Sequence, residues 1–189
     1  MKVTLQSKRR VFDGFFKIDE VKLQYEKFDG SMTPVLTRLN FERGDSVAAV
    51  ILNTDTQKIV LVNQFKYPSY EKGPGWITEV VAGMADPGET PEMAIQREIL
   101  EEAGYATTRL EHISTFYVSP GGSDERIVLF YAEVTNSSRR AAGGGLASEG
   151  EDIRLIEFPL SEMRDILTSK SIQDAKTIIA LMWLQASRH

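Results

Sequence analysis

Three glutamates, Glu98, Glu101 and Glu102, fall within five residues, inside a stretch whose apolar residues repeat with helical spacing. At 100° per residue, with Ile95 at zero, they project at about 300°, about 240° and about 340°. Ile95, Ile99, Ala103, Leu100 and Met93 then form one apolar face, and the three carboxylates share an arc of about 100° beside it. Glu98 and Glu102 are a like-charge i,i+4 pair, which costs an isolated helix about 0.2–0.5 kcal/mol. Arg97 stands four residues before Glu101, but neither Glu98 nor Glu102 has a cation at helical spacing. On spacing alone two readings stay open: a solvated acidic face, or one half of a phosphate-transfer site built around a cation. A solvated face usually intersperses Lys or Arg, and this one does not. Carboxylate oxygens without cysteine select hard cations such as Mg²⁺, Mn²⁺ or Ca²⁺. No EF-hand loop is present, and Mg²⁺ leaves room for water and substrate phosphate.

The setting of these residues is itself unusual. Between Glu79 and Glu102 lie seven acids and one base, a net −6 in a chain whose total is −5, so the remainder carries about +1. Such a window opposes compaction unless a cation or basic partner offsets it. The absence of cysteine excludes disulfides, thiolate metal sites and cysteine nucleophiles, and two histidines, His112 and His189, are too few for a histidine-rich metal site. A pI near 5.2 argues against a general binder of phosphate backbones. At 189 residues the chain has the length of one domain with room for a short appendage. No apolar run reaches the length of a membrane span, and the opening MKVTLQSKRR lacks an apolar signal core, so the expected location is cytoplasmic.

The elements that must position the glutamates follow from pattern. The first 45 residues alternate apolar and polar positions around an Asp29-Gly30 turn, reading as a hairpin or small sheet too short to bury both faces alone. Strands are expected at Val47–Leu52, Ile59–Phe65, Trp76–Gly83, Glu111–Val118, Arg126–Val134 and Ile153–Phe158. The best-marked helix runs from Pro91 to Ala103, with Thr90 as N-cap, Pro91 at the first helical position, and Gly104 after the last turn. Two more helices are expected near Ser161–Thr168 and Asp174–Ala186. The segment Asn136–Glu151, with its run Gly143–Gly145, reads as a mobile loop. Its glycines lack the Lys-Ser/Thr of a P-loop and suit a flexible hinge for Glu149. Trp76 and Trp183 are expected in the core or at an interface.

Gly83 to Tyr105 reads GMADPGETPEMAIQREILEEAGY, which resembles the Nudix box, G-x5-E-x7-R-E-U-x-E-E-x-G-U. Gly83, Glu89, Arg97, Glu98, Ile99, Glu101, Glu102 and Gly104 match in type and spacing, and only Tyr105 departs, being aromatic where an aliphatic residue is usual. SPGGSDER places Pro120 sixteen residues after Gly104, as in ADP-ribose pyrophosphatases, and GLASEGEDIRL resembles their loop bearing a catalytic glutamate. Bacterial GDP-mannose pyrophosphatases share nearly all of these features. The resemblance runs from about residue 20 to the C-terminus.

This resemblance implies an α+β fold: a Nudix α/β/α sandwich with a mixed sheet over residues 46–189, and an N-terminal antiparallel β-sheet arm over 1–45 exchanged in a homodimer. It implies that Glu98 and Glu102 bind metal, assisted by Glu101, with the Ala82 carbonyl and Glu151 as further ligands and Mg²⁺ or Mn²⁺ as the ion. Glu149 is implied as general base, with Glu125 as the alternative. Gly83, Glu89, Arg97 and Gly104 take structural roles, Arg97 holding the box glutamates. Arg38, Lys66 and Glu125 match substrate-contacting positions, where Lys66 replaces the usual Arg and cannot reproduce its bidentate contact. Arg38 and Lys66 also read as surface charges, Glu125 as a cap or partner of Arg126, and Lys176 as either a substrate contact or a helix-surface residue. The expected reaction is hydrolysis of ADP-ribose to AMP and ribose 5-phosphate. The alternatives are GDP-mannose cleaved to GMP and mannose 1-phosphate, a non-catalytic nucleotide-sugar sensor, and an RNA or cap hydrolase, which the acidic pI disfavours.

Overall fold

The computed structural model describes residues 1–187, so His189 lies outside it. The chain forms two units, Met1–Asp45 with Phe116–Arg126, and Ser46–Thr115 with the chain from Ile127 onward.

The first unit is a three-stranded antiparallel sheet, β1 (Val3–Asp13), β2 (Lys17–Tyr25) and β3 (Leu36–Glu42), in that order. Every residue of β1 is exposed, and Leu5, Phe12, Phe15, Phe28 and Leu39 are among its unit's exposed apolar side chains. The SPGG stretch is stapled to the end of β3: Phe41 N–H donates to the Gly122 carbonyl at 2.8 Å, and Ser123 Oγ donates to the Phe41 carbonyl at 3.0 Å.

The second unit holds a seven-stranded mixed sheet. Its main path is β10 (Arg154–Pro159), β5 (Lys58–Phe65), β4 (Ser46–Asn53), β9 (Arg126–Val134) and β8 (Arg109–Tyr117), with β4 and β9 parallel. All eight residues of β4 are buried, as a near-continuous apolar run covered on both faces demands. Val47, Ala49 and Ile51 share one core cluster with Ile95 and Ile99. The helices are α1 (Tyr67–Tyr70), α2 (Pro91–Glu98), α3 (Met163–Thr168) and α4 (Ala175–Ala186), and both α2 and α4 pack on β4. This is the expected helix–sheet–helix layering.

One departure from regularity places the site. β4 and β5 pair only over Ile51–Asn53 and Lys58–Val60, then diverge. The freed edge of β5 is taken by β6 (Trp76–Glu79), and that of β4 by β7 (Val81–Met84). The single strand expected over Trp76–Gly83 is therefore two, broken at Val80, because its halves pair with different partners. Val80 N–H instead donates to Thr177 Oγ1 on α4 at 2.9 Å, a buried bond worth about 1 kcal/mol. Trp76 is 60% exposed at the start of β6 rather than in a core, and Trp183 is half-buried against Tyr131.

Candidate active site

The box helix begins as its sequence dictates: Thr90 Oγ1 accepts from Met93 N–H at 3.3 Å, and Pro91 opens the first turn. It does not continue as one α-helix to Ala103. After Glu98 the chain widens into a π-turn, Ile99–Ala103, closed by Gly104 at φ +77°. Such insertions are frequent at functional sites. The buried face also differs from the wheel. Ile95, Ile99, Ala103 and Ala94 are buried, whereas Leu100 and Met93 are exposed. The buried arc is thus rotated toward the glutamates, and Glu102 lies within it at 1% exposure.

Arg97 organises the remaining carboxylates. It grips Glu89 with Nε at 3.1 Å and Nη2 at 3.0 Å, a bidentate contact, and reaches the Met84 carbonyl at 3.0 Å. Its Nη1 donates to Glu98 at 2.9 Å and to Glu101 at 3.0 Å. Glu98 therefore has a cation after all, from the adjacent residue, because the guanidinium folds back along the helix. Gly83 makes room for this arrangement: a Cβ there would stand 1.9 Å from Glu98 Oε1. Burial raises the Glu98 pKa, against the opposing pull of Arg97.

Glu102 has no ion-pair partner among the described residues. Its Oε2 accepts from Ala82 N–H at 3.3 Å, which ties the helix to β7. Burial, then the negative charges of Glu98 and Glu151, push its pKa up to about 8 despite that bond. Glu151 approaches from the loop before β10, its Oε2 accepting from Leu146 N–H at 3.0 Å. Ala82, Glu98, Glu101, Glu102 and Glu151 are thus gathered in one region, each already engaged. Among the described residues no three His, Asp or Glu side chains yet converge as a cation cage. The donors still fit a hard divalent ion: all are oxygens, and a buried carboxylate without a cation is costly to keep charged.

The other expected site residues are placed as follows. Glu149 sits on an exposed single 3₁₀ turn, Ala147–Glu149, and its carboxylate has no hydrogen-bond or ion-pair partner among the described residues. Lys66 follows β5, with Nζ 3.7 Å from Glu79 Oε1. Arg38 and Glu125 belong to the first unit. Arg38 is exposed and donates to its neighbour's carbonyl, on Thr37, at 3.0 Å. Glu125 pairs with Arg43 at 3.1 Å, while Arg126 pairs with Asp45. Glu79, which in the sequence counts only toward the acidic window, is buried at the end of β6 and bonded to Lys176 on α4. Burial works to lower the Lys176 pKa, but Glu79 and Asp174 outweigh it and raise it. Glu79 and Lys176 are 97 residues apart, and nothing local in the sequence announces their contact.

A NUDIX domain model matches residues 42–181. The chain belongs to the Nudix hydrolase family. It is 32% identical over 187 residues to a GDP-mannose pyrophosphatase of Escherichia coli O1:K1, covering 98% of this chain and 96% of that one. The same identity and coverage are found for the GDP-mannose pyrophosphatase of E. coli K12. Among solved structures, an ADP compounds hydrolase superposes with TM-score 0.77 at 21% identity, over 100% of this chain and 97% of the other, which shows the shared fold. Nudix hydrolases need a divalent cation, and the oxygen-only donors around Glu102 suit one. No helix among the described residues is long and apolar enough to cross a membrane.

Proposed function

We propose that this Nudix hydrolase cleaves the diphosphate bond of a nucleoside diphosphate sugar, with ADP-ribose giving AMP and ribose 5-phosphate. The observation carrying the reading is Glu102, buried beside Glu98 and Glu151 without a cation partner among the described residues. Ala82, Glu98, Glu102 and Glu151 would hold Mg²⁺, or Mn²⁺, with Glu101 assisting. The bound ion supplies charge neutralisation on the diphosphate and a more acidic water. The protein's own residues do the rest. Arg97 fixes the orientation of Glu89, Glu98 and Glu101. Lys66, with Arg38 and Glu125, supplies substrate contacts. Glu149, on a short exposed turn and without an ion-pair partner among the described residues, takes the proton of the attacking water. Glu149→Gln is expected to lower kcat by about 10²–10⁴-fold with KM little changed; an unchanged kcat would move the base to Glu125.

A second reading has its own support: the full-length relatives are named for GDP-mannose, which would give GMP and mannose 1-phosphate. Product chromatography after incubation with each nucleotide sugar, with Mg²⁺ and with chelator, separates the two. AMP formed faster and stopped by chelator supports the first reading, and GMP formed faster supports the second. Binding without turnover of either would leave a nucleotide-sugar sensor.

The exposed apolar residues of the N-terminal arm, over 1–45, support a homodimer in which the arms are exchanged. We place the Nudix domain at 46–189 and the protein in the cytoplasm, and sedimentation with and without the arm tests the dimer.

A further inference from the structure

We propose that the triple-glycine segment Gly143–Gly145 is a splint rather than a hinge: it clamps the loop carrying Glu151 onto the end of the box helix, leaving only residues 147–150 free to move Glu149. This rests on the reading of Glu98, Glu102 and Glu151 as the cation site.

A helix leaves its last carbonyls without partners in its own backbone. Here the partners come from a segment some forty residues further on. Gly144 N–H donates to the Glu102 carbonyl at 2.9 Å and Gly145 N–H to the Glu101 carbonyl at 3.1 Å. The N–H groups of Arg140 and Ala141 donate to the Gly104 carbonyl at 2.8 and 3.1 Å. These bonds require a backbone that L side chains rarely adopt, with φ of +75°, +111° and +79° at Gly143, Gly144 and Gly145. They also require bare space. A Cβ on Gly143 would stand 2.6 Å from the Glu102 carbonyl oxygen, and one on Gly145 would stand 2.5 Å from Glu151 Oε2.

Beyond the glycines the frame closes on itself. Leu146 N–H donates to Glu151 Oε2 at 3.0 Å, Glu151 N–H to the Leu146 carbonyl at 3.3 Å, and Ile153 N–H to the Gly144 carbonyl at 3.2 Å. Ile153 is buried in the same core cluster as Ile95 and Ile99. Glu102 and Glu151, 49 residues apart in sequence, are therefore joined by one short backbone path through Gly144, Gly145 and Leu146. The exposed residues 147–150 hang outside this frame, held by two local bonds, Glu149 N–H to the Leu146 carbonyl and Gly150 N–H to the Ala147 carbonyl. The splint positions one carboxylate against the helix, and the turn alone moves the other. Gly145 is on this account a positioning residue acting through Glu151.

Amide hydrogen exchange on the full-length, metal-free protein tests the splint without reference to any substrate. The Gly144 and Gly145 amides are expected to exchange at least about 100-fold more slowly than those of Ala147 and Ser148. Comparable rates would overturn the proposal even if the enzyme cleaves nucleotide sugars. The second measurement is a cycle of Gly145→Ala and Glu151→Ala read by titration with Mn²⁺ alone. Each single change is expected to weaken binding by about 10–100-fold, and the double change by no more than the weaker-binding single. Additive losses would reduce Gly145 to a general stability role and refute the positioning one. Gly150→Ala, also at positive φ but with nothing within 4 Å of the added methyl, is expected to lower kcat while leaving Mn²⁺ affinity unchanged. Should Gly145→Ala fail to fold, the wild-type exchange rates still decide.

Discussion

Asp19 and Glu102 are each 1% exposed, one in the three-stranded sheet and the other on the box helix, and their environments act in opposite directions. Asp19 receives Arg10 Nε at 2.5 Å and Lys8 Nζ at 2.8 Å, and those hydrogen bonds hold its pKa down at about 2. Glu102 receives one backbone N–H, is surrounded by Glu98 and Glu151, and is pushed up to about 8, burial being the largest cause. A carboxylate hidden for the sake of the fold brings its cations with it from neighbouring strands. One hidden without a cation in a region already rich in acids is costly to keep charged, which is what the proposed divalent ion would offset. The lesson extends along the box: Arg97 satisfies Glu89, Glu98 and Glu101 and makes no contact with Glu102.

The sharpest way to break this contrast is Glu102→Gln. Losing one oxygen ligand to a hard ion is expected to cost several kcal/mol of transition-state stabilisation, about 10³-fold in kcat/KM, together with weaker Mn²⁺ binding. An unchanged Mn²⁺ titration would remove Glu102 from the site and leave its burial without a purpose. Next in size is Arg97→Lys, which keeps the charge but cannot make the forked contact with Glu89 while serving Glu98 and Glu101. A loss of about 2 kcal/mol in urea unfolding is expected, less than for a fully buried pair because Arg97 retains some solvent contact. Full stability in that variant would show that charge alone, not geometry, holds the box.

A third test uses pH on metal-free protein. Glu102 ionises near 4.5 when unfolded and at about 8 when folded, so between those values the native state binds more protons. Its contribution therefore favours folding at low pH and fades as pH rises from about 4.5 through about 8. The Tm of the metal-free enzyme is expected to fall by several degrees over that window, and in Glu102→Gln the slope should flatten. Mg²⁺ should flatten it too. An identical slope in both proteins would locate the pH dependence elsewhere.

Much of this was legible in the chain. Thr90, Pro91 and Gly104 bound the box helix because capping is local chemistry, and the bounds of β9 follow from an unbroken apolar run. What escaped depends on partners distant in sequence. The break at Val80 exists because β6 and β7 pair with different strands, and the freed N–H goes to Thr177. The π-turn rotates the end of the helix so that Leu100 faces solvent. Asn136–Glu151 looked mobile from its composition, yet its glycines are the residues able to reach the helix carbonyls, and composition cannot distinguish freedom from a conformation reserved for glycine. β1 carries Lys8, Arg9 and Arg10 in its middle and buries nothing, so the apolar–polar alternation of the first 45 residues is interrupted there and does not mark its ends. Arg10 and Lys8 on β1 are there to meet Asp19, and that pairing becomes visible only when the strands are in register.

The smallest expected effect on chemistry belongs to Asp19→Asn. Because the folded pKa of Asp19 is depressed, its stabilisation is fully present above its ordinary value of 3.8 and is lost as pH falls through about 2. The amide removes one charge from an arrangement that also holds Glu42 against Arg10 at 2.8 Å, and Glu20 stays paired with Arg9 at 2.8 Å, so the sheet keeps other ion pairs. A lower Tm is expected at pH 7, converging with wild type near pH 2, while kcat with a nucleotide sugar stays within about twofold. Hydrogen exchange in β2, followed from pH 5 to pH 2, is the measurement: protection should decline with acid in the wild type and be low but flat in the variant. Parallel declines would mean that Asp19 is no better paired than Glu102, and the distinction between a carboxylate buried for structure and one buried for a ligand would fail at its simplest point.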